Sequence, residues 1–151
     1  MTTELTYYIF EGVLTGRADG KFIHILALSG GGGGSTRNTS TDATNNPYAE
    51  GQKTTGTGAG HVHGGPIPPG SYQIATPAHH HHLGLAAHLT NVGKEPYGRS
   101  GFYIHTRGTH GSDGCIVPLS KSDFETLMAS LSVSHGGKLF VLESMGGSAF
   151  A

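Results

Sequence analysis

A single cysteine, Cys115, occurs in the 151-residue chain, and it lies in the segment IHTRGTHGSDGCIV, residues 104–117. A lone cysteine cannot close an internal disulfide, so it is a buried filler, a metal ligand or a reactive thiol. Its apolar neighbours Ile116 and Val117 suit the first role. The preceding Gly111, Ser112, Asp113 and Gly114 favour the third, because they read as a turn whose backbone N–H groups can converge on an anion. A cysteine attacks as its thiolate, and an adjacent imidazole favours that form. His105 and His110 are the upstream candidates. His105 follows the strand formers Phe102, Tyr103 and Ile104 and is held more firmly than His110, which sits among glycines. The chemistry this pattern can support is nucleophilic acyl transfer. His105 would deprotonate Cys115, the N–H groups of Gly114 and Cys115 would receive the oxyanion, and the carbonyl or hydroxyl of Thr106 would fix the His105 tautomer. A cysteine enzyme pairing Cys115 with a downstream histidine has only His135 to use.

Histidine clustering offers a rival chemistry. His61 and His63 lie in a Gly-rich segment, and His79, His80, His81 and His82 form a run, so a zinc site is conceivable on residue type. The run presents its rings in several directions, and neither an H-x-x-x-H pair nor a companion carboxylate accompanies it. The expectation is therefore no metal and no cofactor. The formal net charge of −1 lacks the basic footprint that phosphate neutralisation requires, which argues against nucleic acid as a partner. The opening residues MTTELTYYIFEGVLTG carry no basic stretch followed by an apolar one, and no apolar run approaches a membrane span. The expectation is a chain made in the cytoplasm without a cleavable signal and not inserted in a membrane.

The elements that must position Cys115 and His105 are mostly strands. Residues 5–10 and 21–28 read as strands joined by a turn at 16–20. Residues 29–64 are dominated by Gly, Ser, Thr and Asn, a composition too poor in apolar groups for a core element. They are expected to form a long Gly-rich loop packed over the domain as one wall of a cleft. Strands follow at 71–75 and along Leu83, Leu85, Ala87 and Leu89, which alternate with period two. One helix is expected at 120–132, where Ser120 or Ser122 can cap and Phe124, Leu127, Met128 and Leu131 share a face. A closing strand at 138–142 completes a mainly β domain. At 151 residues the chain is one domain, 1–151.

His105, Gly108, Ser112, Gly114 and Cys115 form H-x-x-G-x3-S-x-G-C, which resembles the signature of the L,D-transpeptidase (YkuD-type) catalytic domain. A second segment, GPIPPGSYQI at 65–74, resembles the family's strand entry G-P-I-P-x-G-x-Y-x-I. Nine residues separate His105 from Cys115, a short gap similar to that of the compact L,D-transpeptidase-like effectors exported by type VI secretion systems. The resemblance runs in order from Leu5 to Val141 and implies an L,D-transpeptidase-like β-sandwich with one helix after the cysteine turn. Two positions depart from the housekeeping pattern. Asp113 stands where His is usual between Ser and Gly, and Val117 where Arg is usual two residues after the cysteine.

The resemblance implies a peptidoglycan stem tetrapeptide as substrate, cut through a Cys115 thioester to give L,D-carboxypeptidase or L,D-transpeptidase chemistry. It implies Cys115, His105, Ser112 and Gly114 as catalytic-site residues, with Ser112 supporting the turn or orienting a partner. Tyr72 and Gly108 are then expected to contact substrate. Because Val117 cannot hold a carboxylate, Arg99 and Arg107 are the substitutes expected to do so, a guanidinium offering two parallel hydrogen bonds. The effector likeness further implies delivery by a secretion machine into the periplasm of a target bacterium, with a secretion component and a cognate immunity protein as partners. The alternatives are another cysteine amidase or peptidase of the wall, and a noncatalytic His-rich wall- or metal-binding module.

Overall fold

A computed structural model describes residues 2–30, 65–81, 83–93, 101–106 and 114–146. Its elements are β1 (Glu4–Tyr8), β2 (Val13–Ala18), β3 (Lys21–Ser29), β4 (Gly70–Ile74), β5 (Ala78–His80), β6 (Gly84–Asn91), β7 (Phe102–His105), β8 (Ile116–Pro118), α1 (Lys121–Ser134) and β9 (Gly137–Leu142). The mainly β fold with one helix after the cysteine turn is the one the sequence implies.

The strands form one sheet in the order β4-β9-β1-β2-β3-β8-β7-β6-β5, and β4 also pairs with β6. That extra pairing curls the sheet back on itself, leaving β5 as a short appendage. Two pairings are parallel, β1 with β9 and β7 with β8. Period-two alternation sends one row of side chains inward from each strand. Leu5, Tyr7, Leu14, Ile23, Ile25, Ile74, Leu89, Ile104, Ile116, Leu139 and Val141 meet Phe124, Leu127, Met128 and Leu131 of α1 in one core cluster. Each large apolar side chain so buried contributes roughly 1.5–3 kcal/mol. The helix packs against β2, β3 and β8, so the strand that follows Cys115 is backed by the core.

Local signals set the helix ends. Ser120 is the N-cap, its hydroxyl accepting from the Asp123 N–H at 3.3 Å. His135 closes the other end in the left-handed conformation (φ 56°), and the Gly136 N–H returns to the Leu131 carbonyl at 2.8 Å. The helix thus runs two residues past the expected end.

The N-terminal half differs from the sequence expectation. Residues 5–28 form three strands, not two, and Gly16 lies inside β2 instead of in a turn. It faces Leu5 with φ +140°, and a Cβ there would collide with the Glu4 carbonyl oxygen. Glycine at this position permits close approach of two strands. The β2–β3 reversal falls to Asp19 and Gly20, both at positive φ (52° and 77°), the geometry of a tight hairpin. β5 and β8, three residues each, were not expected, since so short a run carries no periodic signal. The expected 29–64 loop lies outside the described residues apart from Ser29, which belongs to β3, and Gly30.

Candidate active site

β7 ends in His105, and Cys115 immediately precedes β8. Ile104 pairs with Ile116 in parallel register, and both are fully buried. His105, at the end of β7, and Cys115, just ahead of β8, each stand one residue from that pair of inward residues, and neither belongs to the buried core. Both are half-buried.

The imidazole is oriented by its own chain. His105 Nδ1 lies 2.7 Å from the Thr106 carbonyl oxygen, an acceptor that places the proton on Nδ1. The Nε2 lone pair is then the one available as a base. Burial favours the neutral ring and lowers the His105 pKa below its usual 6.5, with the Thr106 carbonyl opposing that shift. The Cys115 thiol is directed to the Gly101 carbonyl, 3.9 Å away.

Ser29 ties the cysteine turn to the rest of the fold. Its buried hydroxyl donates to the Gly114 carbonyl at 3.2 Å and accepts from the Ile67 N–H at 2.9 Å. The end of β3, the GPIP segment and the residue before Cys115 therefore meet at one oxygen. Gly114 has φ 113°, open to glycine and rarely adopted by other residues. Because C=O and N–H of a trans peptide point oppositely, holding the Gly114 carbonyl inward turns the Cys115 N–H away from Ser29. An N–H so placed can receive an oxyanion. Ser29 escaped the sequence reading, although it continues the inward row Ile23, Ile25, Ala27 at the same period of two. Gly101, which accepts the thiol, offered no such signal.

Tyr72 corrects an expectation. It is a core residue, 1% exposed, with its hydroxyl donating to the Pro68 carbonyl at 2.7 Å and its ring edge-on to Phe102. In that position it holds the GPIP segment against β4 and offers substrate no surface. The expected site residues Ser112, Arg99, Arg107 and Gly108 lie outside the described residues, as do His110, Asp113, His61, His63 and His82. His135, the one histidine downstream of Cys115, is the helix C-cap and lines a cleft of about 340 Å³ with Thr3, Gln73 and Lys138, among β1, β4 and β9. No group of three or more His, Cys, Asp or Glu suited to a metal occurs among the described residues. No described helix is long and apolar enough to cross a membrane.

Among solved structures, the chain is similar to an L,D-transpeptidase from Mycobacterium tuberculosis, with TM-score 0.52 and 16% identity over 93% of this chain and 57% of that one. It is also similar to a point mutant of the helical cell shape determining protein Pgp2 from Campylobacter jejuni, with TM-score 0.56 and 16% identity over 95% of this chain and 47% of that one. The chain spans about half the length of each. No family model and no curated protein matches it. Likeness at this identity establishes an L,D-transpeptidase-like fold.

Proposed function

We propose that this protein is a peptidoglycan-directed cysteine enzyme that acts on stem tetrapeptides by L,D-carboxypeptidase or L,D-transpeptidase chemistry. The observation that carries the reading is the pairing of an oriented base with a fixed nucleophile turn. His105 is locked with Nε2 as acceptor by Thr106, on the strand next to a Cys115 whose leading peptide is clamped by Ser29.

The thiol trades the Gly101 carbonyl for His105 Nε2, which takes its proton. The thiolate attacks the carbonyl carbon of the third stem residue, and the carbonyl oxygen accepts from the Cys115 N–H. One such donor is worth about 3–4 kcal/mol of barrier. Collapse breaks the C–N bond to the terminal D-alanine as the imidazolium returns its proton to the leaving amine. Water then resolves the thioester to a free carboxylate, or an amine resolves it to a new amide. Arg99 is the proposed anchor for the substrate's terminal carboxylate, with Arg107 as its substitute. Ser112 supports the turn, and Gly108 borders the substrate.

Because its substrate lies outside the cytoplasmic membrane, the enzyme is proposed to act in the periplasm of a target bacterium after delivery by a secretion machine, with an immunity protein guarding the producer. The test is mass analysis of stem tetrapeptides before and after incubation. Loss of the terminal D-alanine, or its exchange for an added D-amino acid, is expected; unaltered tetrapeptide would refute the reading.

A further inference from the structure

The outward face of β9, β1, β2 and β3 has no part in the acyl transfer just described. Alternation sends Tyr8, Val13 and Leu26 to the side opposite the core residues Tyr7, Leu14 and Ile25. Register lines these outward residues up. Leu142 of β9 pairs with Tyr8, Tyr8 with Val13 and Val13 with Leu26, and the N–H of Leu119, just past β8, donates to the Leu26 carbonyl at 3.0 Å. An unbroken apolar row thus runs from β9 to the end of β8. Leu26 is 54% exposed, and Leu142 and Leu119 are 40% exposed. α1 does not cover the row, because its apolar residues share the core cluster with Leu14 and Ile25. A contiguous apolar patch on a sheet face marks an interaction surface.

The two ends of this face differ in charge. Four residues back from the row along the strands, Lys138, Glu4 and Arg17 lie side by side, two cations and one anion. Beyond the row in the other direction stand Glu143, directly after Leu142, and Glu11 in the β1–β2 turn. The Glu11 carboxylate is held in place, accepting from the Ser144 hydroxyl at 2.9 Å and the Met145 N–H at 3.2 Å. The face is apolar in the middle, cationic at one end and acidic at the other. It is therefore complementary to itself turned end for end.

We propose that this face pairs with the same face of a second copy of the chain, about a two-fold axis that lies between the two sheets and runs across the strands beside the apolar row. That rotation sets each strand against its own copy in the reverse direction. Lys138 in β9 then meets Glu143 of the other copy, and Arg17 meets the β1–β2 turn that carries Glu11. A two-fold axis along the strands would instead set acid against acid, which like-charge repulsion disfavours. Five strands at about 4.8 Å and six residues at about 3.3 Å give a face of about 24 by 20 Å. Two such faces bury about 1,000 Å², the size of a weak and reversible dimer. The pairing does not depend on the acyl-transfer reading.

Sedimentation equilibrium of the full-length protein over a range of concentrations tests it. A monomer at about 1 µM and mostly a dimer near about 0.5 mM is expected. Leu26→Glu should raise the dissociation constant at least about 10-fold, because each copy would bury a carboxylate without a partner. Lys138→Glu and Glu143→Lys should each weaken self-association about 5-fold, since either change sets like charges together twice across the two-fold axis. Mixing these two variants should restore the wild-type constant, because a mixed dimer again has one cation and one anion at both contacts. The mixture also keeps the test decisive where Leu26→Glu fails to fold. A wild type that stays monomeric at the highest concentration, a dimer indifferent to a folded Leu26→Glu, or a mixture that associates no more tightly than its separate components overturns the proposal.

Discussion

Replacing Ser29 by alanine removes the one oxygen that joins β3, the GPIP segment and the cysteine turn. Two hydrogen bonds are lost at a site with no solvent access, at 3.2 Å to the Gly114 carbonyl and 2.9 Å from the Ile67 N–H. Withdrawing a partner from a buried backbone group costs about 1–3 kcal/mol, so the pair amounts to about 3 kcal/mol. For a domain of this size each kcal/mol lowers Tm by roughly 2–4 °C, which places the expected drop at roughly 6–12 °C. Ser130 supplies a matched control. It is equally buried, but its hydroxyl has no hydrogen-bond partner among the described residues, so Ser130→Ala should be neutral or slightly stabilising. The turn should also loosen, turning the Cys115 N–H off the oxyanion. Turnover measured well below Tm should fall about 10-fold or more with KM little changed, because the lost interaction forms only in the transition state. Thermal melts and kinetics on Ser29→Ala and Ser130→Ala together decide the matter. A Ser29→Ala protein that melts with wild type, or one that is destabilised but keeps full kcat, would refute the role assigned to this hydroxyl.

Three further outcomes are expected. Burial lowers the His105 pKa, so the acid limb of kcat/KM should lie below pH 6.5; the same shift means the residue's stability contribution is complete above about pH 6.5 and is lost as pH falls through the lower folded value. A limb at or above 6.5 in a pH–rate profile would contradict His105 as the base. Gly136→Ala should cost about 2 kcal/mol or more, since φ 83° alone costs an L-residue roughly 1–2 kcal/mol and the new Cβ would meet the Ile74 carbonyl oxygen as well; a melt unchanged from wild type would count against this. Arg99→Ala should lower kcat/KM by about 10- to 100-fold, roughly 1.4–3 kcal/mol, with Arg99→Lys recovering only part, and unchanged kinetics would move the carboxylate anchor to Arg107.

Much of the site was legible because its residues sit where one-dimensional signals are strongest. Phe102, Tyr103 and Ile104 announce a strand, and that strand delivers His105; Thr106 fixes its tautomer as expected. The helix was legible from Ser120 and its apolar face. The residues that were missed act through contacts distant in sequence. Ser29 meets Gly114 across 85 residues, and Gly101 meets Cys115 by its carbonyl, a group every residue possesses. Tyr72 misled because a tyrosine in a family-like motif suggests a ligand contact, whereas its hydroxyl is satisfied by Pro68 within four residues. Gly16 misled for a related reason. Glycine marks turns and close strand approaches alike, and only the register with Leu5 distinguishes them.

The central claim is that Cys115 forms a thioester with the stem peptide. Intact-mass measurement of wild type mixed rapidly with tetrapeptide tests it most directly. An adduct equal in mass to the tetrapeptide less one molecule of D-alanine is expected on wild type, to be absent from Cys115→Ala, and to be cleared by hydroxylamine. Loss of D-alanine by a folded Cys115→Ala protein at the wild-type rate would contradict the account.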